Sequence, residues 1–417
     1  MLSGRGRQLR FAAAALAGSI AAGLVGTPAL AAPATPSLLR GDGVRDEQWH
    51  LKTLDLADAW AYSSGAGVTV AVVDSGVDAH HVDLDGQVLP GLDLVDPQGD
   101  GDADLVGHGT TVAALIAGKD DDNGVIGIAP KAKILPVRVL DQENRYDDAL
   151  VVAKGVRWAV DHGAKVINLS LGGSGNSAAL AAALDYAFAK DVVVIACTGN
   201  ASASPSTGVW YPAREPGVIA VAGMERDGDA LWPGSITGKE TVVTAPATQL
   251  VGARPSGYWR VQGTSFAAPM VSGTAALIRS RWPTMPAGEV INRIIKTAKD
   301  RGAPGRDATY GYGLVDPAAA LTAQVPAVLD NPLDTTPDPG VAGFGNAPSA
   351  GQALSAPDNT ATGAVNARVP GANAGSVIAT SAGHSGSAPH DWWLAGGLLL
   401  LSVVAALLTL RRFAHMT

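Results

Sequence analysis

Five short runs in the middle of the chain are mostly apolar and rich in β-branched residues: 68–73, 133–139, 165–170, 192–196 and 217–221. They lack a strict polar alternation and end close to Gly, Asp or Ser, the pattern of strands buried on both faces of a parallel sheet. Longer stretches between and after them, 109–118, 146–162, 178–190 and 267–281, read as helices. Strands and helices alternating at this spacing predict right-handed βαβ units. The fold class is therefore α/β, a doubly wound parallel sheet with helices on both faces. Ligands and catalytic groups of such sheets gather beyond the carboxyl ends of the strands, so that edge is where chemistry is sought.

The two ends of the chain follow a different pattern. Arg5, Arg7 and Arg10 precede an apolar run from Phe11, and Ala29-Leu30-Ala31 offers small residues for cleavage, so residues 1–31 read as a secretory signal peptide. Near the other end, Trp392-Trp393 opens an uncharged apolar run to Leu410, followed by Arg411-Arg412. As a helix this run is about 26–29 Å long, enough to cross a bilayer. The tryptophans suit the interface, and the arginines place the tail 411–417 in the cytoplasm with the body outside. Between 326 and 391, Ala, Gly, Pro, Ser and Thr fill 42 of 66 positions, which predicts a tether without a packed core. The expected order is thus signal peptide (1–31), short N-terminal extension (32–47), globular domain (48–325), linker (326–391), transmembrane helix (392–410) and tail.

Composition narrows the function. The formal charge is −8, and removing the three arginines of residues 1–31 together with Arg411 and Arg412 leaves −13. So acidic a body argues against nucleic-acid binding, which needs clustered Lys and Arg. A single cysteine excludes an intrachain disulfide framework and a Cys-rich zinc module. Cys197 reads as a small buried residue. No cofactor is expected. The acidic cluster Asp96, Asp100, Asp102 and Asp104, with the run Asp120-Asp121-Asp122, has alternate aspartates like a calcium loop but no evident distal bidentate acid. It reads as solvated loop, with structural calcium as the alternative.

The candidate chemistry lies at three strand-to-helix junctions and one turn. Asp74 ends the first apolar run in Ala71-Val-Val-Asp-Ser-Gly76. His108 lies between two glycines at a helix start in Gly107-His-Gly-Thr110. Ser265 lies in Gly263-Thr-Ser-Phe-Ala-Ala-Pro269, where a tight turn enters an apolar helix whose first turn should accommodate Pro269. Asn200 follows the run 192–196 in Cys197-Thr-Gly-Asn200. Each alone has a plain explanation: an Asx turn, a helix cap, a serine N-cap, a turn asparagine. Together they supply a hydroxyl nucleophile, a base, an acid that orients the base, and a donor for a developing oxyanion.

The order Asp74-Ser-Gly, His108-Gly-Thr, Gly263-Thr-Ser-Phe-Ala-Ala-Pro resembles the subtilisin (S8-like) family of serine proteases over residues 48–322. The resemblance implies a subtilisin-like sheet and a serine endopeptidase acting on polypeptides, with Asp74, His108 and Ser265 as triad and Asn200 in the oxyanion hole. It also implies that Ser170-Leu171-Gly172 is a substrate-binding strand, forming with the stretch before Asn200 an accessible pocket of low selectivity. The domain layout resembles the mycosins, membrane-anchored proteases of type VII secretion that lack a full-length inhibitory propeptide. Two other functions share this layout: a structural stabiliser of a membrane secretion complex, and a generic surface scavenging protease.

Overall fold

The sheet is built from β1 (Thr69–Asp74), β2 (Leu92–Asp93), β3 (Lys133–Arg138), β5 (Val166–Leu169), β6 (Val193–Cys197), β7 (Ile219–Met224) and β8 (Val243–Pro246), in the spatial order β2-β3-β1-β5-β6-β7-β8. Every neighbouring pair in it is parallel. The computed structural model describes residues 41–335, except 122, 202–207 and 227–228, together with 377–378. The signal peptide, the transmembrane helix with its tail, and most of the extension and linker lie outside the described residues. Among the described residues no helix is long and apolar enough to cross a membrane.

The chain leaves β1 for β3 on one side, then crosses back over β1 to β5 on the other. Such a reversal opens a crevice at the carboxyl edge of β1. Helices α4 (His108–Ala117) and α7 (Thr264–Arg281) pack on each other and on the sheet, as do α5 (Ala149–Asp161) and α6 (Ala178–Ala189). The expected parallel α/β core is therefore present. Its strands are buried almost end to end because both faces are covered, which is why they read as apolar runs.

Several elements depart from the sequence reading. The antiparallel hairpin β9 (Leu250–Arg254) and β10 (Gly257–Val261) was not predicted, since Gly, Pro and Arg interrupt its pattern and its burial comes from α4 packing over it. Helix α8 (Ala287–Thr297) buries Val290, Ile291, Ile294 and Ile295, a helical period that was legible in the sequence. Helix α9 (Pro317–Thr322) is capped by Asp316, whose side chain accepts from the Ala319 N–H at 2.9 Å. The two-residue strands β4 (Arg145–Tyr146) and β11 (Val377–Ile378) pair antiparallel.

The segment before the sheet is tied down by its side chains. Helices α1 (Gly41–Glu47), α2 (Trp49–Thr53) and α3 (Leu56–Trp60) lead into β1. The Arg45 guanidinium donates to the carbonyls of Asp121, Asn123 and Gly124 at 2.7–3.2 Å. Gln48 both donates to the Ile126 carbonyl and accepts from its N–H, at 3.0 and 2.9 Å. At the other end, residues at the start of the expected linker lie against the domain. Asn292 donates to the Pro326 carbonyl and Asn331 to that of Gly217, each at 2.9 Å.

Candidate active site

Sheet register brings the site residues level. Val72 pairs with Asn168, and Asn168 with Ile195, so two residues further on Asp74, Ser170 and Cys197 share one row at the carboxyl edge. Asp74 and His108 are fully buried, and His108 Nδ1 lies 2.7 Å from Asp74 Oδ1. The same oxygen accepts from the Ser75 N–H at 2.7 Å. Nδ1 therefore carries the proton toward the carboxylate, which leaves Nε2 as the basic nitrogen. Among the described residues His108 Nε2 has no hydrogen-bond partner.

The helix that carries His108 starts one residue earlier than the sequence suggested, with His108 itself as its first residue and Gly107 as N-cap at φ 80°. A side chain on Gly107 would strike Arg254, and one on Gly109 would strike the Gly76 carbonyl. Gly109 thus lets the helix start press against β1 and its following turn, and Gly107 lets it approach the β9–β10 hairpin. Asp104 organises this junction. Its Oδ1 accepts from Ser75 Oγ and the N–H groups of Val106 and Gly107, and its Oδ2 accepts from the Thr110 N–H and hydroxyl, all at 2.7–3.1 Å. Burial pushes the Asp104 carboxyl above the ordinary range, against the pull of these donors. The sequence reading placed Asp104 in a solvated acidic loop; it is instead 5% exposed and fully engaged. Arg254, from β9, adds a further hydrogen bond to the Val106 carbonyl at 2.6 Å.

Of the other acids weighed for calcium, Asp96 accepts from the Gln98 N–H at 3.0 Å and Asp100 from the Asp102 N–H at 3.3 Å. Asp93, outside that cluster, pairs with Arg138 at 2.9 Å and accepts from the N–H groups of Val95 and Asp96. Among the described residues no group of three or more His, Cys, Asp or Glu is arranged to hold a metal.

Ser265 is the second residue of α7, after an N-cap glycine at φ 144°. Helix α7 begins at Thr264, so Pro269 is not in its first turn but inside the helix. A proline there cannot donate to the carbonyl four residues back, and that carbonyl belongs to Ser265. Ser170 Oγ takes the vacated acceptor, donating to the Ser265 carbonyl at 2.7 Å. Ser170 in turn accepts from Asn168 Nδ2 at 2.8 Å, and Asn168 Oδ1 accepts from Ser272 Oγ at 2.9 Å. A buried chain of polar groups thus ties the start of α7 to the end of β5. Ser170 and Leu171 are fully buried, and the Ser170 side chain supports the Ser265 backbone.

Asn200 is fixed by the same helix start. Its Oδ1 accepts from both the Thr264 N–H and the Thr264 hydroxyl at 3.0 Å. That leaves the Nδ2 end of the amide beside Gly263, two residues before Ser265, whose N–H in the first turn of α7 has no intrahelical acceptor. Two donors on this side suit an oxyanion. The Ser265 hydroxyl itself lies 4.0 Å from Cys197 Sγ as its donor. Cys197 is buried as expected, and desolvation pushes its thiol up to about 11, so it is a neutral neighbour and not a reactive thiol.

The structure thus brings Asp74 to His108, ties Asn200 to the start of α7, and sets the His108 ring 5.3 Å from that of Phe266, the residue after Ser265, whose hydroxyl is turned to Cys197. Reasoning from sequence missed Asp104, Arg254 and Asn168. For Asp104 a signal existed, an Asp three residues before a helix-capping glycine; for the other two only the packing reveals the role.

Comparison with known proteins agrees with this geometry. Residues 65–313 match the subtilase family. Subtilisin DY of Bacillus licheniformis is 38% identical over 268 residues, covering 64% of this chain and 94% of that protein. Fervidolysin of Fervidobacterium pennivorans is 35% identical over 69% of this chain, which spans only 45% of its length. Among solved structures, the MycP3 protease from the type VII (ESX-3) secretion system is 32% identical, with a TM-score of 0.60 over 69% of this chain and 92% of that one. The chain belongs to the subtilase family of serine endopeptidases.

Proposed function

We propose that this chain is a membrane-anchored, extracytoplasmic endopeptidase that hydrolyses polypeptides through Asp74, His108 and Ser265 and works beside a type VII secretion complex. The observation that carries the catalytic part is the buried 2.7 Å contact between Asp74 and His108, with an Nε2 that has no partner among the described residues. When substrate arrives, the Ser265 hydroxyl rotates from Cys197 toward that nitrogen and gives up its proton as Oγ attacks the carbonyl carbon. The new imidazolium is stabilised by Asp74, and the oxyanion by the Ser265 N–H and Asn200 Nδ2. His108 then returns the proton to the leaving amine, releasing the first product and an acyl-enzyme. Water, deprotonated by His108, hydrolyses the ester and restores Ser265.

The location rests on the signal-like start, the apolar run 394–410 and the arginines after it. The secretion context rests on the likeness to the MycP3 protease. A random-coil tether over the 56 linker positions 336–391 has a reach of about 37–45 Å, which would confine the enzyme to neighbours at the membrane. Labelling of the full-length protein with a fluorophosphonate, wild type against Ser265→Ala, tests the catalytic reading. Labelling lost only in the variant supports it, and retention of peptidase activity by the variant overturns it.

A further inference from the structure

The small residues of the segments 170–172 and 197–200 suggested an open pocket for the substrate residue before the scissile bond. The structure fills that space with Trp210. A substrate carbonyl held between Ser265 and Asn200 has its α-carbon about 1.5 Å from the attacked carbon. The side chain on that α-carbon therefore leaves the backbone beside Gly199 and, for a peptide lying along 170–172, toward Gly172. A side-chain carbon placed on Gly199 would lie 2.6 Å from indole Cγ and Cε2 of Trp210. One placed on Gly172 would lie 3.2 Å from Trp210 Cβ and 3.4 Å from its Cε3. A single indole is thus flush with both backbone walls.

The indole is also held there. The Trp210 N–H donates to the Thr198 carbonyl at 2.9 Å, and Tyr211 and Gly173 exchange two backbone bonds at 2.7 and 2.9 Å. The segment bearing Trp210 is stitched to both walls at once. Trp210 is 2% exposed, and its Nε1–H has no acceptor among the described residues. A buried donor left unpaired costs stability, so what this tryptophan contributes at the site is its volume.

We infer that Trp210 is a specificity-determining residue that limits the position before the scissile bond to glycine, alanine or serine. The inference rests on the proposed peptidase function. A hydrogen, methyl or hydroxymethyl group fits against the indole face, whereas a leucine or phenylalanine side chain requires the volume the indole already occupies.

The test is a set of quenched fluorescent peptides identical except at this position, cleaved by the full-length protein in detergent and counted per fluorophosphonate-reactive site. Wild type is expected to favour alanine over phenylalanine by at least about 100-fold in kcat/KM. Trp210→Ala is expected to raise kcat/KM for phenylalanine at least about tenfold, while Trp210→Phe, which preserves most of the packing, keeps the preference for alanine. The wild-type comparison stands by itself if Trp210→Ala fails to fold. Equal cleavage after phenylalanine and alanine by wild type overturns the inference and leaves the peptidase intact. Labelling by the probe without cleavage of the alanine peptide overturns it too. Absence of labelling fells the peptidase reading and the inference with it.

Discussion

Under the proposed mechanism, the two halves of the site are in different states of readiness. The acid–base half, on β1 and α4, is closed: Asp74 and His108 meet at 2.7 Å in full burial. The nucleophile half, on α7 and the ends of β5 and β6, has its backbone fixed by Ser170 and Asn200 while the hydroxyl rests on Cys197 at 4.0 Å. The difference follows from charge. A buried carboxylate without a partner costs several kcal/mol, so that pair must form in the free protein. A neutral hydroxyl beside a neutral thiol costs little to leave and little to turn. The half that bears charge is built in advance, and the half that must move to react keeps its hydroxyl turned to Cys197.

Breaking either half should cost unequal amounts. Ser265→Ala should lower kcat by about 10⁶, and Asp74→Asn, which leaves the ring with the wrong tautomer, by about 10⁴; active-site-normalised peptide hydrolysis measures both. If Asp74→Asn were as active as wild type, the closed pair would have no part in turnover. Asn200→Ala should lower kcat by about 10²–10³ with KM nearly unchanged, because its donor acts on the oxyanion. A change confined to KM would count against that role.

His50 sharpens the charge argument, since it is as buried as His108 but has no partner for either nitrogen among the described residues. Burial alone lowers its pKa to about 3. The unfolded chain binds a proton at His50 below about 6.5 and the folded chain does not, so stability falls as pH drops from 6.5 toward 3. Roughly 2 kcal/mol should be lost from this residue between pH 6.5 and 5. His50→Leu should flatten that slope in urea unfolding of the full-length protein; an unchanged slope would rule His50 out as its source. An effect of similar size is expected for Ser170→Ala, which strands the Ser265 carbonyl and should cost about 1–3 kcal/mol. Its kcat should fall more than its KM rises, whereas a loss of stability with intact kcat would make Ser170 a purely structural residue.

Much of this was legible in the chain. The apolar runs named the strands because a sheet covered on both faces needs uninterrupted apolar residues. The short motifs around Asp74, His108 and Ser265 named the chemistry because each lies where a strand or turn meets a helix. Asp104 looked like solvated acid because its partners, Ser75 and Thr110, are apart in sequence and meet only when α4 docks on β1. The role of Pro269 was misjudged because the start of α7 was placed three residues late. With Thr264 as the first helical residue, the proline falls four residues beyond Ser265 and frees its carbonyl for Ser170.

By itself, the sequence determined the α/β class, the five core strands with the helices between them, and which residues are candidates for the chemistry, since these depend on local periodicity and on residue type. Only the tertiary structure decided that the charged pair is closed, that the hydroxyl rests on Cys197, and that Trp210 occupies the space between Gly172 and Gly199. Those outcomes are set by distances of a few ångströms between residues tens of positions apart. No local pattern encodes them; packing does.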